Sequence, residues 1–239
     1  MSMKEQYKFG GEVEEFVNYL QKHRRYILDN KWKEFIKKIN DSSKGRIFSI
    51  TKNSKLYRAR IGRYPLKKMG APPIAESRDG RISPIGIRCL YLASDERTAI
   101  AEIRPWKKMD GTIATVVVTK DVMIVDATGH LDKAIDRIIE SRNKPDILNE
   151  SRHIEYMNWG MIDQLFSQPV SPGERMPAYV ATQYLAEVFK ESGFDGVKYK
   201  SSFNKEGYNI ALFDTRVARL TDRYFFNIQE TDFEYRVIN

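Results

Sequence analysis

Tyr91 and Glu102 are the residues of this chain whose types and spacing best suit chemistry. Cys89–Ala93 is a short apolar run of strand length, after which Asp95 can cap a short helix that Pro105 would stop. A strand and a helix joined so closely can bring the phenol and the carboxylate to one cleft. A carboxylate there can accept a hydrogen bond from a substrate hydroxyl and stabilise positive charge that develops in a transition state.

Three arginines could supply a cation to the same cleft. Lys55–Ile61 alternates as a strand does, which places Arg58 and Arg60 on one face. Arg81 lies in the long polar loop Gly62–Arg88, and loops of that length are often binding loops. Because a guanidinium presents forked donors, each of these arginines could bind a phosphate group in a bidentate manner.

The composition is that of a soluble globular protein, with 41% hydrophobic and 30% charged residues. No apolar run is long enough to span a bilayer, and the N-terminus is too polar for a secretory signal, so we expect a cytoplasmic protein without a membrane partner. The single Cys89 excludes an internal disulfide framework and is expected to be a buried, inert thiol. His23, His130 and His153 are scattered, so we expect no metal site.

The N-terminal segment is predicted to be helical. Apolar residues recur at helical spacing over about residues 11–26 and again over 30–40. The polar run Asp41–Gly45 then marks a boundary, which divides the chain into a helical extension, 1–45, and a main domain, 46–239.

Strand and helix patterns alternate in the main domain. Thr112–Thr119, Val122–Asp126, Gly196–Tyr199 and Tyr208–Phe213 have the composition of strands, and helices are expected near 131–139, 154–166 and 180–192. Because the order shows no regular strand–helix–strand repeat, it favours an α+β fold over a doubly wound sheet. The aromatic and charged tail from Thr221 carries no assignable pattern.

Four sequence blocks resemble the RES domain, a family named for an Arg, a Glu and a Ser that recur in it. In chain order they are Leu56-Tyr57-Arg58, the run from Gly80-Arg81 to Leu90-Tyr91-Leu92-Ala93, Thr98–Glu102, and Gly193–Tyr199 followed by Ser201-Ser202 and Asn209–Phe213. The resemblance covers about Lys55 to Phe213.

This resemblance implies a fold and an activity. RES domains are similar in fold to ADP-ribosyltransferases, which implies a mixed sheet with flanking helices, and they are associated with NAD-consuming toxins. The chain would then cleave the nicotinamide–ribose bond of NAD as a glycohydrolase or phosphorylase, or transfer ADP-ribose to a protein acceptor. Control by a cognate antitoxin carrying a helix-turn-helix domain of the Xre type is also implied, and a homodimer is an expectation from the family alone.

The resemblance also assigns catalytic roles. Glu102 would be the carboxylate beside the ribose, and Arg58, which matches the family's Arg, would clamp the phosphates, with Arg60 or Arg81 as alternatives. Tyr91 would stack on nicotinamide or orient Glu102, although a half-buried core tyrosine is nearly as good an interpretation.

Further binding residues follow from the same blocks. Tyr57 is the weaker aromatic candidate, and Arg81 remains a candidate for the cofactor phosphates. Ser201 or Ser202 would hydrogen-bond the ribose or the carboxamide. Adjacent residues of an extended chain face opposite ways, so only one of these serines is expected in the cleft.

A second hypothesis is a non-catalytic module that binds nucleic acid or a protein through its basic N-terminus. The first 55 residues carry an excess of six positive charges, whereas the rest of the chain carries an excess of two. Tyr26, Trp32 and Phe35 are interleaved with these charges, as in nucleic-acid-binding surfaces. They also fall at the spacing of a buried helix face, which explains them more economically.

Overall fold

The computed structural model describes residues 11–129, 150–170 and 175–231. The helices in these ranges are α1 (Glu12–Lys22), α2 (Asn30–Ser43), α3 (Glu96–Glu102), α4 (Glu150–Ser167) and α5 (Arg175–Glu191). The strands are β1 (Ile47–Ile50), β2 (Lys55–Ile61), β3 (Leu90–Ala93), β4 (Asp110–Val118), β5 (Val122–Asp126), β6 (Gly196–Lys200), β7 (Tyr208–Leu212) and β8 (Ala218–Asn227). The predicted helix near 131–139 lies outside the described residues.

All eight strands form one mixed sheet in the order β1-β5-β6-β7-β3-β2-β4-β8. Only β5 and β6 run parallel among these neighbours, so the predicted α+β class is confirmed. The β2–β3 junction is the weakest, because Tyr57 opposite Ala93 is its only paired position. By contrast, β2 pairs with β4 along its whole length. The sheet therefore splits between β2 and β3.

The N-terminal helices belong to the core of the main domain. Phe16 of α1 is 1% exposed, and its ring contacts those of Trp32, Phe35 and, on α5, Tyr184. The same apolar cluster continues through α4 and α5 onto β5, β6 and β7. Trp32 and Phe35 are thus packing residues, whereas Tyr26 is 92% exposed. The division of the chain at residue 45 stays a prediction.

Helix α3 begins as its sequence predicts and ends earlier. The Asp95 side chain caps it by accepting from the Thr98 backbone N–H at 2.7 Å and from the Thr98 hydroxyl at 2.6 Å. The helix ends at Glu102 rather than at Pro105, because Arg104 takes a left-handed conformation with a φ of 51°. Glu102 consequently lies in the last turn of α3.

The long loop between β2 and β3 crosses from one face of the sheet to the other. Ala71 packs against the apolar cluster on the face opposite the helices, whereas Ile82 is buried in the helix-covered core. This path brings Gly80 beside Tyr91. The tail that carries no sequence pattern forms the edge strand β8, which pairs with β4.

Candidate functional site

Glu102 is held in a fixed orientation beside the split in the sheet. Its Oε1 accepts hydrogen bonds from the Ser201 hydroxyl at 2.6 Å and from Nδ2 of Asn209 at 2.7 Å. Asn209 is the β7 residue paired with Ala93, so the register of the sheet fixes its place. Within the described part of the chain, Oε2 of Glu102 has no hydrogen-bond partner. One carboxylate oxygen is anchored, and the other can receive a substrate hydroxyl.

The Ser201 hydroxyl can only donate to Glu102. Its oxygen already accepts from the backbone N–H groups of Phe203 at 3.2 Å and Asn204 at 3.1 Å, so its one proton is directed at the carboxylate. The Asn204 side chain in turn donates to Oγ1 of Thr98 at 2.8 Å. The turn after β6 is thereby tied to the start of α3, the helix that carries Glu102.

Two cavities meet at Glu102. The larger has a volume of about 380 Å³ and the smaller about 130 Å³. The side chains that line both are Glu102, Tyr91, Tyr199 and Asn209. The predicted approach of Tyr91 and Glu102 to one cleft is therefore confirmed.

The Tyr91 hydroxyl is fixed by the long loop. It accepts from the Ile82 backbone N–H at 3.0 Å and lies 3.4 Å from the Ser83 hydroxyl. Gly80 permits this contact, because a Cβ at that position would lie 2.6 Å from the Tyr91 hydroxyl. Burial raises the pKa of Tyr91, and burial likewise raises the pKa of Tyr199. Both phenols are neutral at pH 7, and Tyr91 lines both cavities.

Arg58 bridges the split in the sheet. Its Nη1 donates to the Tyr91 carbonyl at 2.7 Å, close to where β2 and β3 cease to pair. Burial, and secondarily the charge of Arg60, lowers the pKa of Arg58 to about 10, so the guanidinium stays protonated at pH 7. Arg58 and Tyr57 both line the smaller cavity. Among the described residues, the buried Nε of Arg58 has no acceptor.

The two alternative phosphate-binding arginines are engaged with backbone carbonyls. Arg60 donates to the Lys68 carbonyl at 2.6 Å and lines neither cavity. Arg81 lines the larger cavity, but its Nη1 and Nη2 donate to the carbonyls of Leu165 and Gln168, at 2.8 and 2.7 Å. Arg81 thus satisfies carbonyls at the end of α4, as cations at helix C-termini do.

Of the two serines, only Ser202 lines a cavity, in agreement with the expectation that one of them lies in the cleft. The expectation assumed an extended chain, whereas β6 ends at Lys200 and the backbone turns there. Ser201 contacts Glu102, while Ser202 lines the larger cavity and donates its hydroxyl to the Ser167 carbonyl. The roles predicted for these serines in substrate binding stay predictions.

Sequence patterns alone did not identify Asn209 or Tyr199. Asn209 is 5% exposed within a strand that is otherwise largely apolar. A buried amide at such a position needs a hydrogen-bond partner, which is the signal that could have found it. The predicted burial of the Cys89 thiol is confirmed, and this burial raises its pKa to about 12.

Neither a metal cluster nor a membrane-spanning helix occurs in the described ranges. There, no three His, Cys, Asp or Glu side chains are grouped so as to hold a metal ion. No helix in those ranges combines the length and the apolar character needed to cross a bilayer.

Comparisons with known proteins give one family match. The family model described as RES domain matches residues 55–235. No curated protein matches the sequence. Among solved structures, the toxin–antitoxin complex MbcT–MbcA of M. tuberculosis contains a chain that is 13% identical, with a TM-score of 0.43, over 79% of this chain and 91% of that one.

Proposed function

This chain belongs to the RES domain family, and from that premise we propose that it consumes NAD by cleaving the bond between nicotinamide and ribose. The observation that carries the proposal is the anchored carboxylate of Glu102 at the meeting point of two cavities. We further propose that this activity makes the protein a toxin, controlled by a cognate antitoxin, as the family membership implies.

The reaction needs a carboxylate more than it needs an acid. Nicotinamide leaves with the electron pair of the glycosidic bond and becomes neutral, so protonation of the leaving group is unnecessary. The ribose becomes an oxocarbenium-like centre, and a carboxylate beside it stabilises the developing positive charge. In this mechanism Oε1 of Glu102 stays bound to Ser201 and Asn209, while Oε2 accepts a hydrogen bond from a ribose hydroxyl.

The aromatic walls suit a planar leaving group. Tyr91 lines both cavities, and the hydroxyl of its ring is held by the Ile82 backbone and by Ser83. We assign this ring to nicotinamide, with Tyr57 as the second aromatic surface in the smaller cavity. Arg58 then contributes its charge beside the smaller cavity and fixes the Tyr91 backbone.

Three acceptors can complete the reaction. Water at C1′ of the ribose would give ADP-ribose and release a proton, phosphate would give ADP-ribose 1-phosphate, and a protein nucleophile would become ADP-ribosylated. These correspond to a glycohydrolase, a phosphorylase and an ADP-ribosyltransferase. All three share the cleavage step at Glu102.

The test is release of nicotinamide from NAD by the purified protein, with and without inorganic phosphate. We expect release in at least one condition, and the identity of the ribose product separates hydrolysis from phosphorolysis. A third condition adds cell extract and labelled NAD, so that a protein acceptor is present if the reaction requires one. Absence of nicotinamide release in all three conditions contradicts the proposal.

A further inference from the structure

The larger cavity contains a cation that none of the sequence blocks indicates. Four basic side chains line one or the other cavity: Arg58, Arg81, Arg104 and Lys200. Two of them, Arg58 and Arg81, donate to backbone carbonyls as described above. The other two differ sharply in their surroundings.

Lys200 is already paired. Its Nζ lies 2.7 Å from Oδ2 of Asp163, whose side chain is only 7% exposed, and it also donates to the Gly129 carbonyl. Two of its three donors are therefore used, and the adjacent carboxylate offsets its charge. Lys200 is poorly placed to bind a second anion.

Arg104 differs from the other three because its whole guanidinium lacks an acceptor among the described residues, whereas Arg58 leaves only part of its guanidinium unpaired. Throughout the described part of the chain, no carboxylate or carbonyl oxygen accepts a hydrogen bond from its side chain. Its guanidinium carbon lies 5.0 Å from the centroid of the Phe203 ring. Such a contact orients the planar group while its N–H edges stay available. Both residues line the larger cavity, and Arg104 is two positions from Glu102.

We propose that Arg104, oriented by Phe203, binds the diphosphate of the dinucleotide in the larger cavity. The inference rests on the proposed function, because it takes the ligand to be NAD. A forked guanidinium without a carboxylate partner is suited to two linked phosphates. With the diphosphate at Arg104 and the ribose at Glu102, the nicotinamide lies toward Tyr91. Arg104 then distinguishes dinucleotides from ribosides that lack phosphate.

The backbone at Arg104 permits a clean test. Its φ of 51° is in the left-handed region, which glycine adopts without the penalty that a side chain carries. Arg104→Gly should therefore remove the guanidinium and leave the fold at least as stable. Arg104→Lys keeps the positive charge but loses the forked N–H donors of the guanidinium. The matched control is Arg97→Ala, which removes an exposed arginine from helix α3, seven positions before Arg104 and outside both cavities.

The measurement is calorimetric titration of each variant with ADP-ribose, which carries the diphosphate but has no bond left to cleave. We expect Arg104→Gly to weaken binding by about tenfold or more, Arg104→Lys to be intermediate, and Arg97→Ala to match the wild type. Inorganic diphosphate should compete with ADP-ribose in the wild type and lose that effect in Arg104→Gly.

The outcomes separate this inference from the proposed function. Wild-type binding that depends on Arg104, without any nicotinamide release from NAD, supports the diphosphate site and overturns the activity. Equal affinity of wild type and Arg104→Gly overturns the diphosphate site, whether or not NAD is cleaved. A wild type that does not bind ADP-ribose also overturns it. Unfolding curves of the variants establish that each one is folded.

Discussion

The Ser201 hydroxyl lies 2.6 Å from Oε1 of Glu102, although the two residues are 99 positions apart in the chain. Asn209 adds a second donor to the same oxygen from the neighbouring strand β7. The orientation of the carboxylate therefore depends on residues that only the folded sheet brings together. This arrangement makes the two donors the first targets for mutation.

We predict that Ser201→Ala and Asn209→Ala each lower kcat/KM for NAD by roughly 10- to 100-fold, because each removes a hydrogen bond to a charged group. The double variant should lose less than the product of the two single effects, since both donors orient one oxygen. Steady-state nicotinamide release measures this. Ser49→Ala, an exposed serine on β1, serves as the control. Wild-type rates in both single variants would show that Glu102 needs no such anchoring.

Gly80→Ala should destabilise the protein through Tyr91. The new Cβ would lie 2.6 Å from the Tyr91 hydroxyl and 3.4 Å from its ring carbon, so the hydroxyl must move away from the Ile82 N–H. We expect a loss of about 1–3 kcal/mol in the free energy of unfolding, measured in urea.

The same clash can be relieved by a second substitution. In a Tyr91→Phe background the hydroxyl is absent, so Gly80→Ala should cost clearly less than in the wild type. Gly45→Ala is the control, because its nearest neighbour would lie at an ordinary 3.5 Å. Equal costs in the two backgrounds would refute the contact between Gly80 and Tyr91.

Asp95 should stabilise α3 in a pH-dependent way. Burial disfavours its charge, but hydrogen bonds from Ser94 and Thr98 outweigh burial and hold the pKa of Asp95 below its usual 3.8. Its contribution is therefore present above about pH 4 and is lost as the pH falls through the lowered folded-state pKa. Asp95→Ala should cost about 1 kcal/mol at pH 7.

Urea unfolding at pH 7 and near pH 3 measures this contribution. The difference between wild type and Asp95→Ala should shrink at the lower pH, while Asp95→Asn keeps a capping oxygen that does not titrate. Glu206→Gln, an exposed carboxylate in the turn before β7, is the control. A difference that grows as the pH falls would contradict the assigned sign.

Trp32→Ala should destabilise the whole domain rather than the N-terminal helices alone. Trp32 is 5% exposed, and its ring packs on Phe16, which in turn contacts Tyr184 of α5. We expect a loss of about 3–5 kcal/mol and a single unfolding transition. Tyr26→Ala, at 92% exposure, should leave the stability unchanged. Separate transitions for the helices and the sheet would contradict a shared core.

Local signals in the sequence predicted the local structure well. The β-branched run of β5 and the alternation of β2 give these strands their observed bounds, and Asp95 caps α3 as expected. The cleft between Tyr91 and Glu102 could be predicted from the sequence because only a short turn joins β3 to α3. Strand β8 escaped prediction because an edge strand with much of its surface exposed lacks clean alternation.

Contacts between residues far apart in the chain could not be predicted from the sequence. The sequence indicated Arg58 and Arg81 as candidate cations, but it could not indicate their hydrogen-bond partners. Arg58 binds a backbone carbonyl at the split in the sheet, and Arg81 binds backbone carbonyls at the end of α4. Asn209 reaches Glu102 only because β7 pairs with β3. The roles of Ser201 and Ser202 depend on where β6 stops, which no local propensity fixes.

The most direct test of the account compares NAD cleavage by the wild type, Glu102→Gln and Glu96→Gln. Glutamine preserves the size of the side chain and removes its charge, and Glu96 is an exposed carboxylate on the same helix. We predict that Glu102→Gln lowers kcat by roughly 10²- to 10³-fold, while Glu96→Gln retains wild-type activity. Nicotinamide release at the wild-type rate by folded Glu102→Gln would contradict the assignment of this carboxylate as the catalytic group.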